Sequence, residues 1–175
     1  MYNPTIRSLA IGAVLLFGAA SVASADGKAI GRTQASAPLV GTWQVVITPY
    51  ICATGVPLTA ASFKSRLTFN AGGTMVETPF NPSFQPGQSS SGLGHWESTG
   101  RKSYYNLFEA YVYFTSVVTP PATPRYVRGV RRVDQKIEMV DDDHWTSSAV
   151  VSFTDESGAV VPPTGCMTAT GERLQ

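Results

Sequence analysis

From Val40 onward the chain alternates. In "VGTWQVVIT", 40 to 48, Gly41, Trp43, Val45 and Ile47 form one apolar set, while Thr42, Gln44 and Thr48 share the other face. A two-residue repeat is that of a strand with one buried side. The texture returns in short runs rich in valine, threonine and aromatics, separated by clusters of Gly, Asn, Asp, Ser and Pro. No long stretch carries a helical repeat. Eight strands are predicted: 40–48, 63–70, 74–80, 95–99, 103–116, 125–133 with a continuation through "QKIEMV", 144–153 and 166–174. Short polar turns such as "NAGG", "TGRK" and "DDD" join several neighbours, as in a meander. The expected fold is all-β, an eight-stranded antiparallel up-and-down barrel, because closure leaves no exposed edge.

The same alternation assigns faces. In "HWTSSAVVSF" Trp145 joins Ser147, Ala149, Val151 and Phe153 on the apolar side, and His144 falls on the other. In "HWEST" Trp96 opposes His95 and Glu97. The two histidines of the chain are therefore expected to face outward, with Asp141, Asp142 and Asp143 forming a turn. No metal site is expected, since zinc requires three or four convergent ligands, and no cofactor is implied. The chain has no G-x-S-x-G elbow, and nothing sets a serine beside an imidazole. Strand five leaves its faces open. One side carries Tyr105, Leu107, Glu109, Tyr111 and Tyr113; the other carries Tyr104, Asn106, Phe108, Ala110, Val112 and Phe114. If the tyrosine face is inside, Glu109 is an internal carboxylate, and a hairpin to strand six brings it near Arg131 or Arg132. Glu109 and Arg131 are then the candidate catalytic pair. If the phenylalanine face is inside, Glu109 faces solvent.

Three features bound the chain's setting. "MYNPTIRSLAIGAVLLFGAASVASA" sets Arg7 before an apolar run and ends in Ala23-Ser24-Ala25, the pattern of a secretory signal peptide over 1–25. Residues 26–39 read as a flexible N-terminal segment and 40–175 as the barrel domain. An exported chain, periplasmic or secreted, meets an oxidising compartment, so Cys52 and Cys166 read first as a disulfide, with two separate thiols as the alternative. Antiparallel closure puts Cys52, after strand one, beside Cys166 at the start of strand eight, and this register brings Trp43 within reach of Arg173. The chain has 13 Lys plus Arg, one of them Arg7 in the leader, against 12 Asp plus Glu. Balanced charge gives no reason to expect nucleic acid or an anionic membrane as partner.

Gly41-Thr42-Trp43 resembles the G-x-W motif that opens the first strand of lipocalins, and Arg173 in "TGERL" resembles the arginine that packs across that tryptophan. The strand plan of the mature chain is similar to that of small exported bacterial barrels of this broad calycin type. The resemblance implies a lipocalin-like binding module. A small hydrophobic or aromatic molecule is expected among Trp43, Trp96, Trp145, Tyr105, Tyr111 and Tyr113, with "NPSFQPGQSSSG" over one mouth. Two alternatives remain open. One is a barrel enzyme of cyclase or isomerase type using an internal Glu, as in allene oxide cyclases and dirigent-type proteins. The other is an interaction or inhibitor module acting on a secreted protein through a loop or residues 26–39.

Overall fold

The computed structural model describes residues 37–116 and 126–175. The leader, residues 1–25, lies outside the described residues. Eight strands follow in chain order: β1 (Gly41–Tyr50), β2 (Phe63–Phe69), β3 (Thr74–Phe80), β4 (Gly92–Ser98), β5 (Ser103–Val112), β6 (Gly129–Met139), β7 (His144–Asp155) and β8 (Val160–Arg173). Each pairs antiparallel with the next, and β8 returns to β1 to close the barrel.

The closing register runs from Trp43 opposite Arg173 to Tyr50 opposite Cys166. Cys52 is thus two residues beyond the partner of Cys166, and the disulfide reaches back from the chain leaving β1. Cys52 and Cys166 are bonded with their Cα atoms 5.3 Å apart. In the chain-entropy account a bridge closing so long a loop contributes up to about 4 to 5 kcal/mol.

Several strand limits differ from those expected: β4 begins at Gly92 rather than His95 and β6 at Gly129 rather than Arg125, and two further differences have identifiable reasons. The fifth strand stops at Val112, since Tyr113 N–H donates to Gln88 O in the loop after β3 rather than to a strand neighbour. The last strand starts at Val160, ahead of Pro162 and Pro163. Proline removes a ladder donor and is tolerated at sheet edges and bulges. Here the β7–β8 register shifts between Val151 and Phe153, and β8 pairs with β1 only from Cys166 onward. The prolines therefore lie at an irregularity with one free side.

The inward faces on β1, β4 and β7 are those the alternation predicts: Trp43, Val45, Trp96, Trp145 and Val151 are buried, whereas His95 and His144 are exposed. Leu39, assigned by sequence to the flexible segment, is instead fully buried, and its carbonyl accepts the Trp43 indole N–H at 2.9 Å. An apolar side chain and a buried indole donor hold this residue over the barrel end.

Candidate functional site

In an up-and-down barrel, the starts of odd strands and the ends of even strands share one rim. Trp43 and Trp145 lie near the starts of β1 and β7, and Trp96 lies near the end of β4. All three tryptophans therefore gather at one end. Trp43 meets Trp145 edge-on at 6.1 Å between centroids, and Trp96 meets Tyr104 at 5.7 Å and Phe69 at 6.2 Å. Each tryptophan is at most 1% exposed. They fill this end with Leu39, Met75 and Ile137 around them.

Among the described residues, the other end is open. A cavity of about 440 Å³ lies between the strands there, within the range of small-molecule sites. Its walls are mostly apolar: Val45 and Ile47 from β1, Phe63 and Leu67 from β2, Phe108 from β5, Val151 and Phe153 from β7, and Met167 and Ala169 from β8. Cys166, Tyr50 and Leu58 line it on the side of the disulfide. Phe84, from the loop after β3, also lines it and stacks on Tyr126 at 4.1 Å, and Tyr126 packs on Phe153 at 5.5 Å. That loop is pinned by Gln88, which is fully buried. Gln88 Nε2 donates to Phe114 O at 2.8 Å and to Ser116 Oγ at 3.1 Å, while its Oε1 accepts the Gln85 N–H at 3.0 Å. The "NPSFQPGQSSSG" segment thus reaches the mouth, as expected, through Phe84.

Two charged side chains line this apolar space. Glu77 on β3 and Arg131 on β6 form an ion pair, Arg131 Nη2 to Glu77 Oε2, with side chains 2% and 6% exposed. Glu77 Oε1 also accepts the Ser65 hydroxyl at 3.4 Å. The Arg131 guanidinium carbon is 5.8 Å from the ring centroids of both Phe84 and Phe108. Gly92, opposite Glu77, makes room for the pair: a Cβ there would stand 2.8 Å from Glu77 Oε2 and 2.6 Å from the Phe108 ring. A second polar chain runs along the inner wall over three neighbouring strands, β5 to β7, between the ion pair and the tryptophans. Asn106 Nδ2 donates to Gln135 Oε1, and Gln135 Nε2 donates to Ser147 Oγ, both at 2.8 Å.

This arrangement revises the residues singled out by sequence. Strand five turns Tyr104, Asn106, Phe108, Ala110 and Val112 inward. Glu109 is on the outer face and pairs with exposed Arg132 at 3.3 Å, so it is not the partner of Arg131. This face lets Asn106 Nδ2 donate to Gln135 Oε1 inside the barrel, while Asn106 Oδ1 has no partner among the described residues. Arg131 does point inward, but to Glu77. Tyr105, Tyr111 and Tyr113 lie outside the cavity wall. Tyr105 donates its hydroxyl to Asp134, and this acceptor, with a smaller contribution from desolvation, raises the phenol above its ordinary value. Tyr111 and Tyr113 are exposed. The three tryptophans are inside yet absent from the cavity lining.

Fold and site together define a closed eight-stranded antiparallel barrel with one solid end and one apolar cavity. No family model matches the chain, and no curated protein matches it. Among solved structures, the chain is similar to EF1p2_mFAP2b bound to DFHBI, with 16% identity and a TM-score of 0.52 over 81% of this chain and 98% of that one. It also matches a redesigned β-barrel, b11L5F_LGL, with 15% identity and a TM-score of 0.47 over 81% of this chain and 96% of that one. The former likeness, at this identity, shows the fold.

Proposed function

We propose that the protein is an exported, lipocalin-like barrel that binds a small hydrophobic or aromatic molecule in its interior. The observation that carries this reading is the 440 Å³ apolar cavity at one end of an otherwise filled barrel. Burying an apolar ligand there removes its surface from water at about 25 cal/mol per Å² before ordering is counted. The likeness to a barrel solved with DFHBI bound supports small-molecule use of this architecture. The leader pattern over 1–25 and the Cys52–Cys166 disulfide support export to an oxidising compartment, periplasmic or extracellular. The lipocalin-like assignment rests on Gly41, Trp43 and Arg173, which come together as the resemblance implies: the Arg173 guanidinium carbon stands 4.2 Å from the centre of the Trp43 ring.

The test is native mass spectrometry of protein purified from its own host, followed by titration of the delipidated protein with N-phenyl-1-naphthylamine, a neutral apolar probe. The expected result is a retained small molecule, or saturable probe binding that Ala149→Phe suppresses by filling the cavity. An empty protein that also fails to bind the probe overturns the reading.

A further inference from the structure

Resting on that reading, we infer that the Glu77–Arg131 pair makes the cavity selective for an uncharged aromatic or apolar molecule that carries one hydrogen-bond acceptor of carbonyl type. The argument starts from charge. A lone arginine in a greasy cavity would attract a carboxylate, and a lone glutamate an amine. Here each already neutralises the other, and both are almost fully buried. A ligand carboxylate placed beside this pair meets the Glu77 carboxylate in a low-dielectric space, and a ligand ammonium meets the Arg131 guanidinium. Either brings an unpaired charge out of water, which is the expensive case.

The remaining hydrogen-bonding capacity is specific. Arg131 Nε–H is buried without a hydrogen-bond partner among the described residues, while Nη2 is used on Glu77. The Nε nitrogen is covered, so the donor Arg131 presents to the cavity it lines is Nη1, which is not fully covered and has no partner among the described residues. The other polar group of the lining on β6 is already engaged: Gln135 accepts from Asn106 and donates to Ser147. What this arginine donor lacks is therefore an acceptor. A ketone, ester or amide oxygen supplies one without adding charge. The rings of Phe84 and Phe108 flank the guanidinium and offer apolar surface to whatever carries that oxygen.

The test uses four naphthalenes of matched shape in competition with N-phenyl-1-naphthylamine: 2-ethylnaphthalene, 2-acetylnaphthalene, 2-naphthoate and 2-naphthylmethylammonium. The ketone is expected to bind at least as tightly as the more hydrophobic ethyl compound, and about tenfold or more tighter than either ion, the scale of one hydrogen bond to a charged group. Glu77→Gln leaves Arg131 uncompensated and is expected to raise naphthoate affinity about tenfold or more by the same reasoning. The Glu77→Gln/Arg131→Met double variant, which buries no charge, keeps the argument testable if the single variant fails to fold. Whatever its affinity for the ethyl compound, which serves as its own reference, the ratio of ketone to ethyl affinity is expected to fall about tenfold or more. The carbonyl ¹³C resonance of labelled 2-acetylnaphthalene should move on binding to the wild type and move less on binding to the double variant. If naphthoate binds best to the wild type, or the double variant keeps the ketone preference, this inference is overturned and cavity binding stands. If the probe does not bind and the purified protein is also empty, the cavity-binding reading fails, and this inference with it.

Discussion

Arg173 covers Trp43 and at the same time ties three chain segments together. The two residues are directly opposed across the β1–β8 seam, and the guanidinium carbon stands 4.2 Å from the centre of the indole. Arg173 Nη1 donates to Val40 O at 2.8 Å, Nη2 to Pro38 O and to Asp142 O at 2.7 Å, and Nε to Asp142 O at 2.9 Å. One planar group thus fastens the chain entering β1 and the turn before β7 to the end of β8. Arg173→Lys keeps the charge and loses the fork, so it should destabilise nearly as much as Arg173→Ala, by about 2 kcal/mol. Urea unfolding followed by tryptophan fluorescence measures this; a lysine variant as stable as the wild type would show that charge alone holds the seam.

Gly171 and Gly165 both lie on β8 yet should respond differently to a methyl group. A Cβ on Gly171 would run into the Trp145 indole, with its Nε1 only 2.5 Å away, whereas a Cβ on Gly165 meets nothing closer than 3.8 Å. Gly171→Ala should destabilise by about 1 to 3 kcal/mol through overpacking. Gly165→Ala should stay within about 0.5 kcal/mol of the wild type, as substitutions free of clashes do. Thermal midpoints, with near-ultraviolet circular dichroism of the tryptophans, separate the two.

The two glutamates make a third contrast. Glu109→Ala breaks a half-exposed pair with Arg132 and should change stability by less than about 1 kcal/mol. Glu77→Ala strands Arg131 inside the barrel and should cost about 3 to 5 kcal/mol, with much of the loss recovered when Arg131→Met is added. Chemical unfolding of the four proteins checks the order. Equal effects from Glu109→Ala and Glu77→Ala would contradict the burial described above.

Acid should weaken the barrel through two turns. Asp141 is held below its ordinary value of 3.8 by the Asp143 backbone N–H first and then by the His144 side chain. Asp155 is held below 3.8 by the Ser157 hydroxyl first and then by the Ala159 backbone N–H. A carboxylate whose folded value lies below its unfolded one contributes fully above the unfolded value, about 4, and loses that contribution as pH falls through the folded value. The thermal midpoint should therefore drop below about pH 4, and Asp141→Asn/Asp155→Asn should flatten that drop while leaving the neutral-pH fold intact. An unchanged slope in the double variant would place the acid sensitivity elsewhere.

Most of the barrel is legible in the chain because period-two alternation and the turn residues agree with each other. Trp43, Trp96 and Trp145 declare the inner face of three strands, and the cysteine spacing proposes the seam register to within two residues. The tryptophans were less legible as a site: their burial follows from alternation, but their crowding at one end appears only when strand direction is counted as well. Strand five was ambiguous because aromatics stand on both of its faces. What settles it is Asn106 finding Gln135, a pairing between residues 29 positions apart that local pattern does not reveal. Glu77 is hidden in the local pattern because a carboxylate in "TMVETPF" reads as a solvent-facing residue. The signal for it is its parity with Met75, together with an inward Arg131 that needs a counter-charge.

Among the described residues, the tryptophan-filled end makes the barrel a cup with one mouth rather than a tube. Anything in the cavity must arrive and depart past the same lip, where Phe84 stacks on Tyr126. Affinity and exchange rate are therefore set by different residues. The walls and the buried pair determine how well a guest fits, while the aromatic stack and the Gln88 anchor behind it determine how long it stays. Loosening Gln88 should shorten residence far more than it weakens the fit.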